Sequence, residues 1–179
     1  KFTLNYNDSE MGTMIAFQNS YDKKLPMKFA IGATVFVCSN GMITGEHVMS
    51  KKHVGVNPHI LKDFIHDTIK DSINKFNKTI DEREYMKGIK FNKSDVEILA
   101  GKLLIHGGIM KPRQIASFAK EYKKPTITAE EYCTNPNSAW YIYNLLTYAL
   151  ENNSHPKDYL KQHSNLYNYF YNILDLKKV

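Results

Sequence analysis

Cys38 is followed by Ser39 and Asn40, and four imidazoles, His47, His53, His59 and His66, lie within the next 28 residues. A thiol beside an imidazole base is the minimum apparatus for nucleophilic catalysis. The same imidazoles, with Glu46 or Asp63, could in principle hold a metal ion. Neither chemistry reaches a signature, because no HExxH, no CxxC and no family-type nucleophile motif surrounds these residues. A buried thiol is the plainer role for Cys38. There is no GxxxxGK[ST], no GxGxxG and no paired-carboxylate or Ser/His/Asp pattern. The sequence therefore implies no catalytic residue, no metal and no cofactor, and weighs toward a non-enzyme.

The second group of candidates is cationic. Lysine and arginine number 24 against 18 aspartate and glutamate, for a net charge of +6. Only Arg83 and Arg113 are arginines, so the charge is almost wholly lysine. Lysine suits phosphate contact as a point charge rather than bidentate reading of bases. The clusters are Lys51-Lys52-His53, Lys87 to Lys93, Lys111-Pro112-Arg113 and Lys120 to Lys124. Tyr21, Tyr85, Phe91 and Tyr122 lie among them, and aromatic rings interleaved with lysines suit sequence-tolerant binding of single strands. Scattered solubilising lysines are the plainer alternative.

These residues need elements to position them. Hydrophobic residues make up 42% of 179, enough for one domain with a sizeable core. Residues 1–6, 14–19 and 28–38 read as strands, alternating or rich in β-branched and aromatic side chains. Asn40-Gly41 favours a tight hairpin turn, after which a further strand is expected over about 42–56. Asn57 and Pro58 then open a helix whose apolar stripe runs from Ile60 to Ile80. Ser94-Asp-Val-Glu97 has capping-box spacing, and Gly107-Gly108 stops the helix it opens. Further helices are predicted near 113–122, 138–152 and 156–176. In the last, Leu160, Leu166, Tyr167, Phe170 and Leu174 fall near helical spacing.

The predicted fold class is α+β: an antiparallel three- to four-stranded meander packed on a long helix, with a helical C-terminal half. It forms one domain over 1–179, meander over 1–56 and mainly helical over 57–179. Lys1 in place of methionine raises the expectation of a preceding segment. Two cysteines, Cys38 and Cys133, make no disulfide framework, and no run of about 18 apolar residues suggests a membrane span. A cytoplasmic setting is the simplest expectation.

Asn19-Ser20-Tyr21-Asp22 and Cys38-Ser39-Asn40-Gly41, separated by one strand, resemble the signature of a phage- and plasmid-encoded family catalogued as domain of unknown function number 932. The resemblance continues at Lys51-Lys-His53-Val-Gly55. It returns at Trp140, Asn144 and Thr147 within Ala139 to Thr147. It implies a mobile-element context rather than an activity. Turn capping by Asn19 and Asn40 is the plainer role for those amides. Three antiparallel strands followed by a long helix is also similar in plan to single-strand annealing recombinases of phages, an analogy of architecture.

The expected function is a phage- or plasmid-type nucleic-acid-binding protein, a single-strand DNA annealing, recombination or replication accessory. Lys51, Lys52, His53, Lys111 and Arg113 would hold phosphates and Tyr21 would stack a base. Single-stranded DNA is the favoured partner, with a homo-oligomer expected by analogy and no membrane. The alternative is a protein-interaction module whose partner is a host protein, inhibiting a host defence enzyme.

Overall fold

The structure is a computed structural model, and it describes residues 2–4, 11–18, 27–35, 41–42, 49–51, 58–105, 108–126, 135–155 and 157–175. Among them are β1 (Phe2–Leu4), β2 (Met11–Gln18), β3 (Met27–Val35), β4 (Gly41–Met42) and β5 (Met49–Lys51). The helices are α1 (Pro58–Gly88), α2 (Lys93–Ile105), α3 (Pro112–Lys123), α4 (Ala139–Asn153) and α5 (Tyr159–Ile173).

The α+β expectation of a three- to four-stranded meander is corrected. The described chain is mostly helical, and only β2 and β3 form an extended antiparallel pair, from Met11↔Val35 to Gln18↔Lys28. The other strands are fragments of two or three residues. β1 pairs with β2, while β4 and β5 both pair with β3. Of the strand expected over 42–56, only Met42 in β4 and Met49–Lys51 in β5 fall among the described residues. The registers of β4 and β5 on β3 differ by three residues, so these two fragments do not share one ladder. A short ribbon of this kind is marginal alone and needs a packed partner. Met11, Thr13 and Met14 of β2 are all buried, which puts cover on both faces of that strand. Met11 and Ala33 join Phe76 of α1 in the main core, and Met14 packs with Leu160 at the start of α5.

α1 starts at Pro58, where a missing N–H costs nothing. It runs 31 residues, eight beyond Ile80. The apolar stripe ends at Ile80, but the inward face continues as Glu82, Arg83 and Met86, all buried. α2 begins at Lys93, two residues earlier than a cap at Ser94 implies. Asn92 is its cap: the Asp95 N–H donates to Asn92 Oδ1 at 2.9 Å and the Asn92 N–H to Asp95 Oδ2 at 2.9 Å. Asx and carboxylate three apart satisfy two orphan amides at once, and Asn92–Asp95 wins over Ser94–Glu97. Past α2, Gly108 has φ +56°, a conformation that favours glycine.

α4 organises the helical part. Ser138 caps it, its Oγ accepting from the Tyr141 N–H at 3.1 Å. Trp140, Ile142, Tyr143, Leu145, Leu146, Ala149 and Leu150 are buried, and they lie all around its axis. A helix apolar on every side belongs at the centre of a bundle. It packs on α1, α3 and α5, through Phe118, Met86 and Phe170. Tyr143 meets Phe170 edge-on at 5.0 Å. Each fully buried large side chain here contributes about 1.5–3 kcal/mol. No described helix is long and apolar enough to cross a membrane.

Candidate functional site

α3 is strongly two-sided. Gln114, Phe118 and Glu121 face inward, whereas Lys111, Arg113, Lys120, Lys123 and Lys124 are exposed. Arg113, Lys120 and Lys124 stand seven and four residues apart, so they align on one outer row, with Lys123 beside it. Ala116 and Ser117 lie between them and leave the row low in profile. The single acid of the helix, Glu121, is turned into the protein, where its Oε2 accepts from the Thr126 N–H at 3.0 Å. Among the described residues no acid pairs with Arg113, Lys120, Lys123 or Lys124. The result is a cationic row about 16 Å long, unpaired among the described residues.

Lys111 differs from its neighbours. Its Nζ donates to Asp158 Oδ2 at 3.0 Å, which holds the Asp158 carboxyl below its ordinary value. The Lys111 N–H also donates to Gln114 Oε1 at 2.7 Å. Gln114 Nε2 reaches Ser154 Oγ and Gln162 Oε1, both at 3.1 Å, and the Ser154 hydroxyl donates to Gln162 Oε1 at 2.7 Å. This neutral net ties the start of α3 to the end of α4 and to α5, and so fixes how the row is presented.

A second charged group lies inside. Glu82 of α1 is 1% exposed, and the Tyr167 hydroxyl of α5 stands 2.9 Å from each of its carboxylate oxygens. Lys78 Nζ is 3.9 Å from Glu82 Oε1 and 5.3 Å from the Tyr171 ring centroid. Burial raises the Glu82 carboxyl above its ordinary value, against the Tyr167 hydrogen bond and the Lys78 charge. Burial also raises the Tyr143 and Tyr167 phenols, and the Glu82 charge adds to both. The sequence reading missed this group because it ended the helix at Ile80. The available signal was spacing: three- and four-residue steps from Phe76 and Thr79 land on Glu82, Arg83 and Met86.

Trp140, Asn144 and Thr147 are all buried in α4. Asn144 Nδ2 donates to the Trp140 carbonyl at 2.8 Å, and Thr147 Oγ1 to the Asn144 carbonyl at 2.9 Å. The Asn144 amide nitrogen and the Thr147 hydroxyl are thus engaged with the backbone of their own helix. Lys51 ends β5, and Gly41 begins β4. Asn19, Ser20, Tyr21, Asp22, Cys38, Ser39, Asn40, His47, Lys52, His53 and Cys133 lie outside the described residues. His59 and His66 sit exposed on α1, and no group of three His, Cys, Asp or Glu that could hold a metal occurs among the described residues.

The fold and this surface define a mostly helical domain with a short β-ribbon and an outward basic helix. The chain belongs to the family described as Domain of unknown function (DUF932), whose model matches residues 2–168. No curated protein and no solved structure matches it.

Proposed function

We propose that the protein binds nucleic acid, single strands in preference, as a phage- or plasmid-type accessory of replication or recombination. The observation that supports this most is the outer row of α3. Arg113, Lys120 and Lys124 align with no acid paired to them among the described residues, and Glu121, the one carboxylate of α3, is buried. An ordinary solubilising surface intersperses both signs. A row of one sign attracts polyanions and releases their counterions on binding. Tyr122 does not join the row: it stands on the opposite side of α3, half-buried, with its ring stacked on Phe118 at 6.1 Å. Lys111 braces the row through Asp158, and Lys51, Lys52, His53 and Tyr21 belong to the same reading as further contacts.

The test is fluorescence anisotropy with labelled single- and double-stranded DNA across a salt series. Affinity for single strands should fall steeply as salt rises. The Arg113→Glu/Lys120→Glu/Lys124→Glu variant should lose most of the binding and about two units of the log–log salt slope. Flat salt dependence, or a variant that binds as well as the parent, would sink the proposal. A salt-insensitive one-to-one complex with a host enzyme, without DNA binding, would favour the rival role of inhibitor.

A further inference from the structure

The outer face of α2 carries an apolar seam that the protein's own fold leaves uncovered. Val96, Leu99 and Leu103 point into the core. On the opposite side Ser94, Ile98, Gly101 and Ile105 follow each other at steps of four, three and four, the spacing of a two-stranded helical seam. Ile98 is 53% exposed and Ile105 is 75% exposed, and Leu104 flanks them at 37%. Single exposed apolar residues are ordinary, but here three lie together on one short helix.

Gly101 gives the seam its shape. A glycine in a helix interior costs up to about 1 kcal/mol relative to alanine. The fold does not require it, since a Cβ at Gly101 would meet nothing within 4 Å and its φ is not positive. A missing side chain on an outward face suits something that approaches from outside.

We propose that this face is a self-association surface, on which α2 packs antiparallel against α2 of a second copy. With the twofold axis between Leu99 and Ala100, Ile98 lies over Gly101 of the second copy and Ile105 over its Ser94. Every large residue then meets a small one, in both directions. The same register sets Asp95 on one edge near Lys102 of the second copy, twice by symmetry. Lys102 has no acidic partner among the described residues of its own chain, and Asp95 uses Oδ2 for the Asn92 amide, leaving Oδ1. A parallel pair would instead set Ile98 on Ile98 and Gly101 on Gly101, leaving a void at the glycine layer. A helix pair of this length lies at the small end of specific interfaces, so a micromolar dimer is the expectation.

Sedimentation velocity of the full chain over a concentration series tests the proposal. The parent should show a reversible monomer–dimer equilibrium. Gly101→Leu fills the notch and should weaken the dimer by roughly tenfold or more, while its circular dichroism and melting temperature hold or rise. Ile105→Lys should weaken it similarly. Orientation is read by cross-linking in a chain carrying Cys38→Ser and Cys133→Ser. A mixture of Ser94→Cys and Ile105→Cys chains should join to each other with a short bismaleimide, and neither should join well to itself. A monomer at every concentration, a dimer indifferent to both substitutions, or preferential self-linking would each overturn the proposal.

Discussion

The protein carries charge in two opposite ways. On α3 and its C-cap the cations Arg113, Lys120 and Lys124 stand in water, and among the described residues no acid pairs with them. Between α1 and α5 the carboxylate of Glu82 is withdrawn from water and held by the Tyr167 hydroxyl. The outer charges cost the fold little, because water screens them, and their field extends to whatever comes near. The inner charge offers nothing to a distant ligand, and its desolvation must be offset locally. Changes on α3 should therefore alter binding and leave stability alone, and changes around Glu82 should do the reverse.

The largest expected effect is on the outer side. Reversing Arg113, Lys120 and Lys124 to glutamate should reduce affinity for single-stranded DNA by about a hundredfold at low salt, measured by anisotropy. The melting temperature should stay within a degree or two of the parent, since solvated surface changes seldom exceed about 0.5 kcal/mol. A large drop in stability would erase the contrast between the two regions.

Next comes Tyr167→Phe. It removes a donor to a buried carboxylate, and such hydrogen bonds are worth about 1.5–3 kcal/mol. Urea unfolding should show a loss of that order, with DNA affinity unchanged. The loss should be greater above the Glu82 titration than below it, where the carboxyl carries its own proton.

Glu82→Gln is smaller and sharper. Because burial raises the Glu82 carboxyl, the folded state keeps a proton that the unfolded chain has already released. Stability therefore falls as pH rises from the ordinary carboxyl value through the raised one. Glutamine does not ionise, so the variant should flatten this part of the curve. At neutral pH it should match or exceed the parent by about 1 kcal/mol or less. Chemical unfolding from pH 4 to pH 8 measures it, and an unchanged slope would remove Glu82 as its source.

Lys111→Met should have the smallest effect on folding, because its partner Asp158 is solvent-exposed. Its readout is the Asp158 titration by NMR, which should move up toward the ordinary carboxylate value once the Lys111 ammonium is gone.

How much of this was legible in the sequence differs from element to element. Helices with a strong local signal came through. Pro58 opens α1, Ser138 caps α4 and the Leu160–Phe170 spacing marks the buried face of α5. The cap of α2 was misplaced by two residues, because Ser94–Glu97 and Asn92–Asp95 both have the right spacing and only geometry chooses. The meander was misjudged for a non-local reason. A β-rich pattern over 42–56 says that strands are favoured, but not that one register can hold from Met42 to Lys51.

The sequence by itself determined composition, charge and helical periodicity, because each is a property of near neighbours along the chain. It placed Lys111, Arg113 and Lys120 to Lys124 in basic clusters. Only the tertiary structure decided that Glu121 turns inward, away from the row, that Lys111 is engaged by Asp158, 47 residues away, and that Glu82 meets Tyr167, 85 residues away. Which charges are buried and which meet water depends on contacts between distant segments, and local spacing carries no record of those.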